Sequence, residues 1–148
     1  MKLKPYDIIL CKSNKTIIQK LIRKITKDKY THSEIFLGNY HIIDDTMRGV
    51  KVRNFDSTLN EFDVYRYYRD LTEKEKYDIE EFLQKALNTR YDFFEILLQL
   101  FHIRPKQNGK YICISLLIEA FKYANVKVDE WQQGFTQISK SEYFIKIN

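Results

Sequence analysis

The stretch from Tyr30 to Asp45 constrains this chain more than any other, because it reads as a β-hairpin with a reactive side chain at its mouth. Thr31 to Leu37 is a run of strand formers, Gly38-Asn39 is a turn pair, and Tyr40 to Asp44 is the returning strand. The first strand opens on His32, between Thr31 and Ser33, where a core-filling residue would be aliphatic. Asp44 and Asp45 end the second strand, so one carboxylate is expected to lie across from the imidazole, orienting the ring and stabilising its charged form. Register decides which. A two-residue Gly38-Asn39 turn pairs Leu37 with Tyr40 and sets Asp45 opposite His32, whereas a three-residue or bulged turn sets Asp44 there.

Around this hairpin the pattern alternates between sheet and helix. Tyr6 to Cys11 is a β-rich apolar run, and Asn14 to Thr26 switches to helical spacing with Ile17, Ile18, Leu21, Ile22 and Ile25 on one side. Lys15, Lys20, Arg23, Lys24, Lys27 and Lys29 cover the other side, which reads as a solvated basic face. Gly49 to Arg53 and Phe62 to Tyr67 give two further strands. Thr72 then caps a helix, with Glu75 in the capping-box position, and that helix is expected to end near Asn88. Tyr91 to Phe101 is another helical segment, Pro105 to Gly109 a loop with a tight Asn108-Gly109 turn, and Cys113 to Ala124 a helix packing Leu116, Leu117, Ala120 and Phe121. Tyr143 to Ile147 adds a last strand.

With 148 residues, this is one domain, 1–148, with room for a real core and one site. Only two cysteines occur, Cys11 and Cys113, too few for a disulfide scaffold and in keeping with a reducing compartment. The N-terminus carries no signal-like segment and no stretch is long and apolar enough to span a bilayer, so a soluble, cytoplasmic protein is expected, with export by another route left open. A net charge of +5 attracts anionic surfaces without implying recognition. The eleven tyrosines and ten phenylalanines fall at strand and helix spacing, so they read as core rather than as a nucleic-acid platform.

Cys113 stands out chemically, because a helix N-terminus supplies unpaired N–H groups and a partial positive charge that favour a thiolate, and the same N–H groups can hold an oxyanion. Cys11 sits in an apolar strand and reads as packing; His41 and His102 read as surface residues. No H-E-x-x-H pair, C-x-x-C motif or phosphate loop is present, so neither metal nor cofactor is expected.

Taken in order, Asp7-Ile8-Ile9-Leu10, Tyr30 to Gly38 with its strand-opening His32, Ile42-Ile43-Asp44 followed by Gly49-Val50, Tyr91-Asp92, and Tyr111-Ile112-Cys113-Ile114-Ser115-Leu116-Leu117 resemble the circularly permuted, papain-like NlpC-type hydrolases, in the branch of the YiiX-like and lecithin:retinol acyltransferase-like proteins. The resemblance covers roughly residues 5 to 125. Tyr6 departs from it, where glycine commonly precedes the aspartate, as does Ile114, where serine usually follows the cysteine. It implies an α+β fold in which a small antiparallel sheet or barrel packs against helices, and a cysteine hydrolase of amidase or peptidase type. Cys113 would be the nucleophile, His32 the base, and Asp44 the third member, with Asp45 as runner-up.

On this reading a covalent thioester forms without a cofactor. The Cys113 backbone N–H is the first oxyanion donor, with Tyr30 or Tyr6 as a second. The substrate class is a peptide, amide or γ-glutamyl group, with lipid or thioester acyl transfer as the alternative. A different class of function also fits the composition: a basic, non-catalytic module touching an anionic polymer or membrane through Lys20, Arg23, Lys24 and Lys27.

Overall fold

The computed structural model describes residues 2–13, 15–46, 49–58, 61–89, 113–129 and 135–148. Six antiparallel strands form one sheet: β1 (Ile8–Cys11), β2 (His32–Gly38), β3 (His41–Thr46), β4 (Gly49–Asn54), β5 (Phe62–Tyr67) and β6 (Phe144–Lys146), in the order β4-β3-β2-β1-β5-β6. The helices are α1 (Ile17–Thr26), α2 (Glu73–Ala86), α3 (Cys113–Tyr123) and the short α4 (Thr136–Ser139). The expected segment from Tyr91 to Phe101, the loop from Pro105 to Gly109, His102 and the Tyr91-Asp92 motif lie outside the described residues. No described helix is long and apolar enough to cross a membrane.

Local chemistry accounts for the element ends. Thr16, rather than Asn14, opens α1: its side chain accepts from the Gln19 N–H while the Gln19 side chain accepts from the Thr16 N–H, so two orphan donors of the first turn are satisfied together. Thr72 and Glu75 form the same reciprocal box at the start of α2. The hairpin between β2 and β3 turns one residue later than its sequence suggests. Asn39 and Tyr40 both hold positive φ (49° and 60°), as in a type I′ turn, and Gly38 ends β2 at φ 102°.

Alternation along the strands builds two cores. On one face Ile8, Leu10, Ile35, Ile43, Val50 and Tyr65 pack with Ile79 and Leu83 of α2 and with Ile114, Leu117 and Phe121 of α3. The opposite face carries a smaller cluster of Ile9, Cys11, Phe36, Ile42 and Val64, closed by Leu3, Phe55, Phe62 and Ile147. Which face a residue points to therefore decides whether it meets the helices.

Candidate catalytic site

Register fixes the neighbours of His32. Glu34 pairs with Asp44 and Phe36 with Ile42, after which the ladder shifts so that Gly38 pairs with His41. Neither register weighed from the sequence occurs, because the turn sits at Asn39-Tyr40 and a bulge between Phe36 and Gly38 precedes it. Continuing the pairing by two residues brings Thr46, not an aspartate, opposite His32. Asp44 instead meets the ring diagonally from the same face, with His32 Nε2 and Asp44 Oδ2 2.7 Å apart. Asp45, one residue on, alternates to the helix-covered face and is buried there.

The pair belongs to a larger polar cluster. Arg53 of β4 donates to Asp44 Oδ2 from Nε (3.1 Å) and Nη2 (3.0 Å), and Nη2 also donates to Glu34 Oε1 at 2.5 Å. Glu34 stands two residues after His32 on β2 and accepts a hydrogen bond from the Cys11 thiol as well. Cys11 is itself the cross-strand partner of His32. None of Glu34, Arg53 or Cys11 entered the sequence reading as part of a site, although strand alternation alone places Glu34 on the face of His32.

Burial sorts the two carboxylates. At Asp44 burial pushes the carboxyl pKa up, but hydrogen bonds and charge from His32 and Arg53 outweigh it and hold the group below its ordinary range. Glu34 goes the other way: burial raises it, His32 and Arg53 offset this only in part, and the charge of Asp44 adds to the rise. Arg53 stays firmly charged despite its own burial because Asp44 and Glu34 both hold it. Asp44 Oδ1 is buried and has no hydrogen-bond partner among the described residues.

Donor atoms of His32, Glu34 and Asp44 all lie within 4.8 Å of one another, a spacing a metal ion can use. The arrangement does not fit one as it stands, since the Arg53 guanidinium already bonds Asp44 Oδ2 and Glu34 Oε1 and supplies the cation that the two carboxylates require.

Cys113 opens α3, as its helical spacing suggests; its side chain lies outside what the structure describes. α3 covers the Ile35 and Ile43 side of the sheet, while His32, Glu34 and Asp44 point to the other. The two tyrosines named as oxyanion donors are placed elsewhere. Tyr30 is fully buried on the helix side, where its hydroxyl donates to Asp63 Oδ2 (2.5 Å) and lies 2.8 Å from the Tyr65 hydroxyl. Tyr6 precedes the far end of β1, five residues from Cys11, and its hydroxyl donates to Glu80 Oε1 at 2.8 Å. Neither hydroxyl is available to a carbonyl at His32. A cleft of about 620 Å³ opens beside Tyr6, lined by Leu37, Arg66, Tyr67 and Glu80, and therefore lies at the end of the sheet away from His32. His41 is exposed.

No family model matches the chain, and no curated protein matches it. Among solved structures it is similar to the metalloprotein YiiX from Escherichia coli O157:H7, with 18% sequence identity, a TM-score of 0.63, and coverage of 87% of this chain and 71% of that one. At that identity the likeness concerns the fold: this chain is an α+β protein with the architecture of YiiX.

Proposed function

We propose that this protein is a papain-like, circularly permuted cysteine hydrolase of amidase or peptidase type, acting through Cys113, His32 and Asp44. The observation that carries the reading is the 2.7 Å contact between His32 Nε2 and a fully buried Asp44 carboxylate pinned by Arg53. With Nε2 committed to Asp44, Nδ1 is the nitrogen that takes the proton. The Cys113 S–H proton passes to Nδ1, sulfur forms a bond to the carbonyl carbon, and the imidazolium returns the proton to the leaving amine as the C–N bond breaks. Water then cleaves the thioester, and an alcohol or amine in its place would give acyl transfer instead. The backbone N–H groups at the start of α3 receive the oxyanion.

Two thiols compete for the role, and their surroundings separate them. Cys11 is buried in the sheet, where its thiol is engaged as a donor to the Glu34 carboxylate. Cys113 stands at a helix N-terminus, which favours the thiolate. Because α3 covers the opposite face of β2, the reading requires the Cys113 sulfur to meet the imidazole around the open end of β2, where His32 is the first residue.

Alkylation by iodoacetamide across pH, in wild type, Cys113→Ala, Cys11→Ala and His32→Ala, tests this. Rapid labelling at neutral pH is expected in wild type and Cys11→Ala, absent in Cys113→Ala, and slowed by about 10²-fold or more in His32→Ala. Labelling that survives in Cys113→Ala and disappears in Cys11→Ala transfers the nucleophile to Cys11. A rate indifferent to His32 ends the reading.

A further inference from the structure

Among the described side chains of the amphipathic helix α1, two of its apolar positions stay open to solvent where its sequence leads one to expect burial. Ile22 packs partly against the main core, but Ile17 is 84% exposed and Leu21 37% exposed. At about 100° per residue, Ile17 and Leu21 share one strip of the helix with Lys20 and Lys24, and Arg23 lies beside it. All three cations are exposed. No acidic residue occurs between Ile17 and Thr26. The first carboxylate beyond the helix, Asp28, accepts from the Tyr30 N–H at 3.2 Å.

We infer that α1 is a docking surface for an anionic lipid membrane. A helix lying in the lipid interface needs both features on one exposed strip: apolar side chains that enter the acyl boundary and cations that meet the headgroups. A nucleic acid or acidic protein would use the lysines but gives no reason for a β-branched residue as open as Ile17 between them. Lysine stems suit this placement, since they lie along apolar surface while their charges reach outward. At ten residues the helix spans about 15 Å, so attachment is peripheral and reversible rather than spanning. α1 also links the end of β1 to the start of β2, so docking brings the His32 end of the sheet to the lipid surface.

Flotation of the full chain with vesicles of phosphatidylglycerol and phosphatidylcholine in equal parts, against phosphatidylcholine alone, tests the surface. Wild type is expected to bind the anionic vesicles at least about tenfold more tightly than the neutral ones, and less so as salt rises. Ile17→Ser/Leu21→Ser and Lys20→Glu/Lys24→Glu are each expected to lower anionic-vesicle binding about tenfold or more while circular dichroism stays unchanged, because all four side chains face solvent. Equal binding to both vesicle types overturns the inference, as does serine-variant binding equal to wild type or absence of vesicle binding by wild type. Retention of a single-stranded RNA by the serine variant without vesicle binding by wild type assigns the face to nucleic acid instead.

Discussion

Asp44 and Asp63 are both buried carboxylates in the same sheet, yet they sit on opposite faces and are held in opposite ways. Asp63 is saturated: Lys12 (2.8 Å), Lys146 (3.1 Å) and Lys29 (3.4 Å) surround it, and Tyr30 donates to it at 2.5 Å. Burial alone would raise its pKa, but the lysine and tyrosine hydrogen bonds drive it far below the ordinary carboxylate range. Asp44 shares one guanidinium with a second carboxylate, leaves Oδ1 without a partner among the described residues, and spends its short contact on a histidine. An oversupplied anion is an anchor. An undersupplied one beside an imidazole stays ionised, orients the ring and stabilises its charged form, so that the histidine can take and return a proton near neutral pH, and that difference separates scaffold from chemistry in this fold.

The comparison breaks first at Asp63. Asp63→Asn is expected to lower unfolding free energy by about 2–3 kcal/mol in denaturant titration at neutral pH. That is below the usual cost of stripping a buried pair, because Lys29 and Lys146 are half exposed and can turn to water. The sign with pH follows from the lowered pKa: the contribution of Asp63 is fully present above its ordinary value and is lost as pH falls through the folded one. The deficit of the variant should therefore shrink in acid. A variant as stable as wild type at neutral pH would remove Asp63 as the anchor.

Asp44→Asn comes next, at about 1–2 kcal/mol, since Arg53 keeps Glu34 as a partner when Asp44 is neutralised. Its larger consequence is expected in reactivity: the imidazole loses its orienting anion, and alkylation of the proposed nucleophile slows while the fold remains. Circular dichroism and labelling rate measured on the same sample separate the two effects. Stability lost with the labelling rate unchanged would make Asp44 a second anchor, equivalent to Asp63.

The hairpin shows what was legible in advance and what was not. Strand propensity and the turn residues located β2 and β3, and the presence of His32 and two aspartates marked the region as chemical. Local sequence carries no information on a one-residue displacement of the turn, and that displacement moves every cross-strand partner. The diagonal reach of Asp44 to His32 depends on it. Glu34 and Arg53 were readable as strand residues, but their meeting needs the pairing of β2, β3 and β4 together, which is tertiary. For α1 the stripe of apolar positions was clear; that Ile17 and Leu21 stay open to solvent is a matter of tertiary packing, which a helical stripe does not specify. The tyrosines show the same limit: being nearest in the motif pattern does not say which face or which end of a strand a hydroxyl occupies, and the structure places those of Tyr30 and Tyr6 against Asp63 and Glu80.

The smallest effect is the one that tests the Asp44 cluster most closely. Glu34 has its pKa raised, with burial as the main cause, so its linkage runs opposite to that of Asp44 and Asp63. A raised folded pKa means that Glu34 favours the native state most while it is protonated, below its unfolded value near 4.5, and that this advantage is lost as pH rises through the folded value. Glu34→Gln removes the ionisation and keeps an oxygen to accept from Arg53. At pH 4 the variant should match wild type or fall slightly below it. As pH climbs past the ordinary glutamate range it should gain on wild type, by on the order of 1 kcal/mol or less, because the lost charge-assisted bond to Arg53 offsets the relieved burial of the anion. Denaturant titrations of both proteins at several pH values read the difference directly. A difference that moves the other way, with the variant losing ground as pH rises, would mean that Arg53 satisfies both carboxylates fully. The Asp44 face would then be as closed as the Asp63 face, and the contrast on which the catalytic assignment leans would be gone.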